Sequence, residues 1–293
     1  MTDRDTTSGP SNERGKRMRE TRAAVVGGTN GLGRALARWL VAQGAAVTVV
    51  GRTLRDGRVP GLDFIRADLS TVAEQRRVAA ELPAEELSLL VFTTGILSPK
   101  RRETTEDGVE IDLAVSYLSR FVILRSLAER LGTRAQARSR VFVMGAPGSN
   151  VAGDPSDLNS ERGYAQLAAH TQTVAANEAL VLDAKDRYPQ FGVYGLNPGL
   201  VASGEIRAPF LGGADSLRFK AVEWLIGTLR PSTDEYAARI GSTLLAPEEG
   251  ADSGTMFDSK GRKTKASSRL TPDRVAHFMR ATEELLASLP RPK

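Results

Sequence analysis

Residues 25–37, VVGGTNGLGRALA, decide the fold, because they connect an apolar run directly to a helical pattern through closely spaced glycines. The glycines are Gly27, Gly31 and Gly33, with Gly28 in addition. Glycines at such places allow a tight turn and let a diphosphate approach the amide groups of a helix N-terminus. Glycine spacing alone is a weak indication, but its position between a first strand and a first helix makes it considerably stronger.

The rest of the chain repeats this alternation. Short apolar runs that each end in glycine or a polar residue predict strands, namely AAVVGG, AAVTVVGR, LDFIRADL, LSLLVFTTG, RVFVMG and FGVYGLNPG, with a last one near SGTMFDSKG. Longer amphipathic stretches between them predict helices. Strands that alternate with helices imply right-handed crossovers and a parallel sheet that is covered on both faces. The sequence therefore predicts a doubly wound α/β fold.

No repeat or linker divides the chain, so we expect one domain over residues 21–293. Residues 1–20 mix acids and bases and predict a disordered tail. The residue pattern changes after Pro198, and residues 203–235 predict a helical insert over the active site. This segment carries Phe210, Leu211, Phe219 and Trp224 and suggests an apolar small-molecule pocket.

Composition excludes several classes of function. The chain has no cysteine, which excludes disulfides, thiolate metal sites and a cysteine nucleophile. His170 and His277 lack a ligand-like spacing, so we expect no metal site. The basic stretch from Lys260 to Arg269 has no interleaved aromatic residues, which favours a solvated loop over a nucleic-acid site. No apolar run approaches the roughly 18 residues of a membrane span, and the N-terminus lacks the apolar centre of a secretory signal, so we expect a cytoplasmic protein.

Several motifs resemble those of the short-chain dehydrogenase/reductase family. Gly27-x-x-x-Gly31-x-Gly33 resembles its glycine motif, and residues 197–203, NPGLVAS, look like its segment beside the nicotinamide. EDGVEIDLAVSYLSRFVIL and SGTMFDSKG are most similar to the retinol-dehydrogenase-type branch. The resemblance implies a Rossmann fold with a nicotinamide cofactor over almost the whole chain. It also implies a small-molecule substrate and, through the helix of residues 161–185, the capacity to form a homo-oligomer.

The cofactor-binding residues follow from this resemblance. Arg52 ends the second strand, where NAD-selective proteins usually carry an acid, and a cation there suits the 2′-phosphate of NADP(H), with Arg34 as a second candidate. We therefore favour NADP(H) over NAD(H). The cofactor-binding residues that the resemblance implies are Gly27, Thr29, Asn30, Gly31, Leu32, Gly33, Arg52, Asp68, Leu69, Thr94, Gly95, Pro198, Gly199, Val201 and Ser203.

The catalytic positions depart from the family pattern. The resemblance implies a tetrad of Asn, Ser, Tyr and Lys, and Tyr164, expected in the first turn of the helix over residues 161–185, matches the tyrosine. The lysine position is Ala168, the asparagine position is Ser116, and the serine position falls on Gly145 or Ala146. Ser149 is a substitute donor after the degenerate strand end. The cofactor elements persist, whereas the residues of the chemistry change.

The sequence is compatible with three functions. The first is carbonyl reduction with Tyr164 as proton donor, because an unperturbed tyrosine has a pKa of about 10 and carries its proton at neutral pH. The second is a non-redox enzyme, an isomerase, dehydratase or cyclase, and the third is an NADP-binding regulatory or partner-binding protein. On a helical projection His170 lies away from Tyr164, in a stripe with Gln166, Thr173 and Asn177, which favours polar packing or a subunit contact.

Overall fold

The computed structural model describes residues 18–199, 232–245 and 251–290. Their strands form one eight-stranded sheet in the order β3-β2-β1-β4-β5-β6-β7-β8. The strands are β1 Arg22–Val26, β2 Ala46–Gly51, β3 Leu62–Arg66, β4 Leu89–Phe92, β5 Arg140–Met144, β6 Gly192–Leu196, β7 Met256–Phe257 and β8 Lys263–Thr264. Every neighbouring pair is parallel except β7 and β8, which are antiparallel. The predicted parallel sheet is confirmed, and β8 is an addition to it.

Helices follow the strands as the alternation predicts. They are α1 Gly31–Ala42, α2 Val72–Glu81, α3 at residues 111–127, α4 Gln166–Arg187, α5 Thr233–Leu245 and α6 Pro272–Ser288. Helix α3 begins as an α-helix at Ile111–Leu113, passes through a π-helical segment Ala114–Leu118 and continues as an α-helix over Ser119–Leu127. Such π-helical turns occur often at functional sites. None of the helices in the described ranges has the length and apolar character needed to cross a membrane.

The sheet separates two apolar layers. One contains Phe92, Leu118 and Leu180, and the other contains Leu36, Val49 and Phe257. All six of these side chains are buried, as expected where helices cover both faces of a parallel sheet. The second layer also contains Met18, which is 3% exposed, so the packed part of the chain includes the last residues of the predicted tail. Most of the predicted insert lies outside the described residues.

The order of the strands places the candidate site. Chain order reverses between β1 and β4, because β2 and β3 lie on one side of β1 and β4 to β7 lie on the other. In open α/β sheets, ligands bind at such a switch point, beyond the carboxyl ends of the strands. The segments that follow β1 and β4 therefore border the expected ligand crevice.

Candidate active site

The glycine turn after β1 leaves no room for side chains at Gly27 and Gly33. A Cβ atom on Gly33 would lie 2.3 Å from the Gly27 carbonyl oxygen, and one on Gly27 would lie 2.6 Å from the Thr94 amide nitrogen. At Gly31 the position is different, because its φ is +50° and a Cβ would meet nothing within 4 Å. The first turn of α1 has no acidic residue. An open approach to an uncompensated helix N-terminus fits an anionic group.

The residues around this turn are packed against the neighbouring strands. Thr29 is 8% exposed, and a Cβ on Gly51 would lie 2.2 Å from its Oγ1 atom, so Thr29 packs against the end of β2. Asn30 is the N-cap residue of α1, which places it at the predicted phosphate approach. Leu32 packs against the second apolar layer. The turn thus comes into contact with the end of β2, where the adenosine ribose is predicted to bind.

Near the end of β2, Arg34 forms an ion pair with Asp56, whereas Arg52 does not pair with any described residue. Asp56 accepts from Arg34, with Nε–Oδ2 and Nη2–Oδ1 distances of 2.8 and 2.6 Å, and lies 3.3 Å from the nearest nitrogen of Arg38. The paired Arg34 guanidinium holds the pKa of Asp56 below its ordinary value. Arg52 is exposed, and in the described part of the chain it has no ion-pair partner. Arg52 is therefore available to an anion, whereas the charge of Arg34 is compensated inside the chain.

The remaining predicted cofactor residues lie at the same edge of the sheet. Asp68 and Leu69 follow β3, where Asp68 is exposed and Leu69 is buried. Thr94 and Gly95 follow β4, and the Thr93 amide donates to the Val26 carbonyl at 2.8 Å, which ties the two crevice segments together. Pro198 and Gly199 follow β6, where the Gly199 amide donates to Asn197 Oδ1 at 2.8 Å. Val201 and Ser203 lie outside the described residues.

A buried carboxylate lies behind the segment that follows β4. Asp112, in the first turn of α3, is fully buried, and it accepts from Ser98 Oγ at 2.9 Å and, over a short distance, from Ser116 Oγ. His170 Nδ1 lies 2.9 Å from Asp112 Oδ2. We call Asp112, Ser98, Ser116 and His170 the Asp112 cluster. It brings together four polar side chains from three parts of the chain.

The Asp112 cluster is connected to the crevice through Ser116. The Ile96 amide donates to Ser116 Oγ at 3.0 Å, and a Cβ atom on Gly95 would lie 3.9 Å from the same oxygen. Ser116 occupies the π-helical segment of α3. The hydroxyl group of Ser116, at the predicted asparagine position, is engaged by Asp112 and by the Ile96 amide.

Tyr164 lies before helix α4 and not within it. The helix begins at Gln166 with Ala165 as its N-cap, so the prediction of a tyrosine in the first helical turn is wrong. The Tyr164 hydroxyl donates to the Pro99 carbonyl at 2.5 Å, and Gln166 Nε2 donates to the Ser98 carbonyl at 2.6 Å. Burial, followed by the carboxylate of Glu110, raises the pKa of Tyr164. Ala168, at the lysine position, is exposed.

The face of α4 that points toward α3 is the polar stripe of the helical projection. His170 contacts Asp112, and Asn177 Nδ2 donates to the Ser116 carbonyl at 2.8 Å. A helical projection places His170 away from Tyr164, but Tyr164 is not part of this helix. Two features of the sequence indicate this face of α4. One is the helical spacing of the polar residues Gln166, His170, Thr173 and Asn177, and the other is the acidic Asp112 one turn before Ser116.

The predicted serine position after β5, at Gly145 or Ala146, has no hydroxyl group. Gly145 and Ala146 follow β5, and the Ser149 hydroxyl donates to the Ala146 carbonyl over a short distance, so Ser149 is exposed but engaged locally. Arg120, 3% exposed, donates instead to the carbonyls of Thr94 and Met144 at the ends of β4 and β5. Burial lowers the pKa of Arg120 to about 9. A buried cation thus lies between these two strand ends.

Comparison with known proteins identifies the family. No protein-family model matches the chain, whereas an uncharacterised oxidoreductase of Saccharomyces cerevisiae is 45% identical over 270 residues, which cover 90% of this chain and 87% of that protein. Retinol dehydrogenase 13 of Homo sapiens is 28% identical over 290 residues, which cover 92% of this chain and 85% of that protein. The chain belongs to the short-chain dehydrogenase/reductase family. A solved short-chain dehydrogenase/reductase from Serratia marcescens has the same fold, with a TM-score of 0.57 at 20% identity and coverage of 82% of this chain and 97% of that one.

Members of this family bind NAD or NADP. The glycine turn fits such a dinucleotide, because the side-chain-free positions at Gly27 and Gly33 and the open approach at Gly31 leave space for a diphosphate at the start of α1. In the described ranges, no group of three or more histidine, aspartate or glutamate side chains is arranged to hold a metal ion. The site that the residues form is thus a crevice that fits a dinucleotide and is bordered by the Asp112 cluster.

Proposed function

We propose that the protein is an NADP-dependent oxidoreductase that reduces a carbonyl group on a small apolar substrate. The single observation that carries this proposal is the position of the Asp112 cluster, which is hydrogen-bonded to Ile96 beside Gly95 at the switch point of the sheet. Hydrogen-bonded acidic and basic groups next to a dinucleotide crevice are what a reduction requires in addition to the cofactor. Bound NADPH would supply the hydride.

The direction of the reaction follows from the protonation of the available groups. Oxidation of an alcohol needs a base, and the pKa of Tyr164 is raised, so this side chain retains its proton at neutral pH. Reduction of a carbonyl needs an acid, which a neutral tyrosine or a protonated histidine supplies. Two groups can act as this acid, namely Tyr164, on which the sequence prediction rests, and His170, which the structure adds. The retained proton of Tyr164 favours reduction over oxidation.

Preference for NADP(H) is supported by Arg52. This guanidinium is exposed after β2 and has no ion-pair partner within the described residues, so it can pair with a 2′-phosphate. Arg34 supports the proposal less than the sequence suggested, because Asp56 already binds its guanidinium with two hydrogen bonds. The residues that would hold the cofactor are those of the glycine turn, Arg52 and the segments that follow β3, β4 and β6.

The apolar character of the substrate is supported by Leu167. Its side chain is 74% exposed at the start of α4, and residues three apart on a helix are neighbours, so Leu167 lies next to His170. A large exposed apolar side chain beside polar, acid–base groups suits a substrate with an apolar body and one reacting carbonyl. The cytoplasmic location and the homo-oligomer stay predictions, and fractionation and light scattering of the purified protein would test them.

The experiment is a measurement of NADPH oxidation with a panel of apolar aldehydes and ketones, beside direct titration of NADPH and NADH. We expect NADPH to bind more tightly than NADH and its absorbance to fall with at least one substrate. Product formation without a change in NADPH absorbance would favour a non-redox enzyme. Tight NADPH binding with no product from any substrate would favour the regulatory function instead.

A further inference from the structure

We propose that His170, held by Asp112, donates the proton to the substrate oxygen in the reduction proposed above. The resemblance assigns this step to a tyrosine supported by a lysine, and both the geometry of Tyr164 and the residue at position 168 depart from that arrangement. The inference rests on the proposed function, because it concerns the proton of the same reaction. Its basis is the contrast between the surroundings of His170 and those of Tyr164.

Of the two imidazole nitrogens of His170, Nδ1 contacts Asp112 and Nε2 does not. Nδ1 lies 2.9 Å from Asp112 Oδ2, and the carboxylate is fully buried while the imidazole is 31% exposed. The two nitrogens are joined through Cε1 and their hydrogen-bonding directions diverge, so Nε2 points away from Asp112. Nε2 forms no hydrogen bond to any described residue. A partly exposed imidazole that is fixed through one nitrogen and has the other unbonded is the arrangement of a general acid or base.

Asp112 is held so that it can orient this ring. Its oxygens accept from the hydroxyl groups of Ser98 and Ser116 in addition to His170, which satisfies a carboxylate that has no contact with water. A carboxylate in such a position fixes the tautomer of the imidazole and stabilises its positive charge. We therefore assign Asp112 as a positioning residue that acts through His170.

Tyr164, in contrast, helps to attach the loop after β4 to the start of α4. Its hydroxyl proton is donated to the Pro99 carbonyl, and the neighbouring Gln166 amide binds the Ser98 carbonyl. Together these two side chains attach the segment after β4 to the start of α4. The alanine four residues later is exposed and carries no charge that could assist proton transfer. Tyr164 thus fixes the loop that contributes Ser98 to the Asp112 cluster.

The position of His170 along α4 also suits the site. Asn177, two helical turns further along the same stripe, binds the Ser116 carbonyl, and a Cβ on Gly145 would lie 3.7 Å from its Cβ. This stripe therefore runs from the end of β5 along α3, with His170 near its outer end. Leu167, which is exposed, precedes it by one turn.

The proposed step balances in atoms and electrons. The carbonyl carbon gains a hydride, its π electron pair moves to the oxygen, and the oxygen takes the proton from Nε2 of the imidazolium. The substrate is reduced to an alcohol, the dinucleotide is oxidised, and His170 becomes neutral with its proton retained on Nδ1 toward Asp112. Water at the exposed part of the ring then returns the proton to Nε2.

The kinetic experiment compares matched substitutions of His170 with one of Tyr164. His170→Asn places an amide where Nδ1 binds Asp112, and His170→Gln extends an amide toward the position of Nε2, but neither side chain ionises. We expect kcat to fall about 100-fold or more in both, with NADPH affinity changed less than about 3-fold. We expect Tyr164→Phe to retain kcat within about 5-fold. His277→Asn, on the exposed face of α6, is the control and should leave both quantities unchanged.

Two further measurements separate proton donation from packing. Added imidazole should restore at least about 10-fold of the lost kcat in His170→Ala, because a free imidazole can occupy the cavity and donate. In the cofactor-free protein, 15N-labelled histidine gives resonances from two imidazoles only, and His277→Asn assigns them. We expect neutral His170 to carry its proton on Nδ1, and Asp112→Asn to weaken this tautomer preference and to lower kcat.

The outcomes distinguish this inference from the proposed function. Wild-type protein that reduces no carbonyl would overturn the proposed function itself. Wild-type turnover that survives in His170→Gln but is lost in Tyr164→Phe would overturn the role of His170 and leave the carbonyl reductase in place. A His170 tautomer with the proton on Nε2, or no imidazole rescue, would also count against it. Circular dichroism of each variant shows whether a loss of activity reflects unfolding.

Discussion

The glycine turn after β1 and the Asp112 cluster behind β4 border the same crevice, but they are built from different parts of the chain. The turn comes from one continuous segment, and its geometry is that of the backbone, because Gly27 and Gly33 have no room for a Cβ atom. The Asp112 cluster consists of side chains from the β4–α3 loop, α3 and α4, separated by up to 72 positions from Ser98 to His170. The first resembles the glycine motif of the family, whereas the second is formed by side chains that come together only in the folded chain.

This difference shows which constraints each region obeys. A dinucleotide is bound by amide groups at a helix N-terminus, so the chain has few alternatives to glycine in the turn. A proton can be supplied by any acidic group at the right place, so the catalytic region can exchange residues while the cofactor region stays unchanged. Backbone-determined sites therefore tolerate less change than sites made of side chains.

The largest effect is expected in the glycine turn. In Gly33→Ala the added methyl group meets the backbone oxygen of Gly27, so the turn must shift, and we expect NADPH affinity to fall by at least about 100-fold, or ~2.7 kcal/mol. Gly31→Ala adds a methyl group into open space and into the predicted path of the diphosphate. We expect about 10-fold weaker NADPH binding with about 1 kcal/mol lost from the free energy of unfolding. Titration and denaturation measure the two quantities.

The matched control for Gly31→Ala is Gly108→Ala. Gly108 has a φ of +80° and open space around the position of a Cβ, so the substitution imposes comparable backbone strain in the turn before α3. It should lower the free energy of unfolding by a comparable amount and leave NADPH affinity unchanged. Equal affinities in Gly31→Ala and wild type would show that the diphosphate does not approach this part of the turn.

A smaller loss of NADPH affinity is expected at Arg52, because its side chain, and not the backbone, is proposed to contact the cofactor. Arg52→Ala should weaken NADPH binding about 10- to 30-fold and leave NADH affinity within about 2-fold, because only the 2′-phosphate uses this charge. Arg58→Ala removes an exposed guanidinium from the same β2–β3 connection and controls for general electrostatics. Equal losses for both cofactors, or in both variants, would contradict selective binding of the phosphate by Arg52.

The smallest effect concerns a buried acid beside the catalytic region. Burial raises the pKa of Glu110 above its ordinary value of 4.5, while its Oε2 accepts from the Leu113 amide at 2.8 Å. Since the folded protein binds the proton more tightly than the unfolded chain, this group favours folding below the ordinary pKa and opposes it as the pH rises through the raised pKa. Glu110→Gln keeps the helix cap and removes the charge, so Tm should rise by roughly 2 °C at neutral pH.

The pH dependence provides the control for Glu110→Gln. The difference in Tm from wild type should diminish as the pH falls toward 4.5, where the wild-type carboxyl is protonated as well. Thermal unfolding at a series of pH values measures it. A difference that does not change with pH would mean that lost packing, and not the buried charge, is responsible.

Periodicity and glycine placement predicted the sheet, its parallel strands and the helices around it, because these features repeat locally along the chain. The same reasoning failed at α4. Treating residues 161–185 as one helix put Tyr164 on its surface and turned His170 away, whereas the helix begins at Gln166. Because the helix begins two residues after Tyr164, the position of Tyr164 cannot be read from the helical projection. The wrong start of the helix therefore led to a wrong prediction of which side chains face the site. Met18 shows a similar limit, since one buried residue extends the packed core into a polar segment.

The sequence by itself determined the doubly wound fold and the glycine turn, because each depends on residues that are neighbours along the chain. Only the tertiary structure decided that Asp56 compensates Arg34, that Tyr164 binds the Pro99 carbonyl and that Asp112 lies against His170. These contacts join residues 22, 65 and 58 positions apart, and their partners are selected by the packing of α3 and α4 against the sheet and by the loops at its carboxyl edge. No local pattern encodes such distances, which is why the chemistry of the site became visible only in the folded chain.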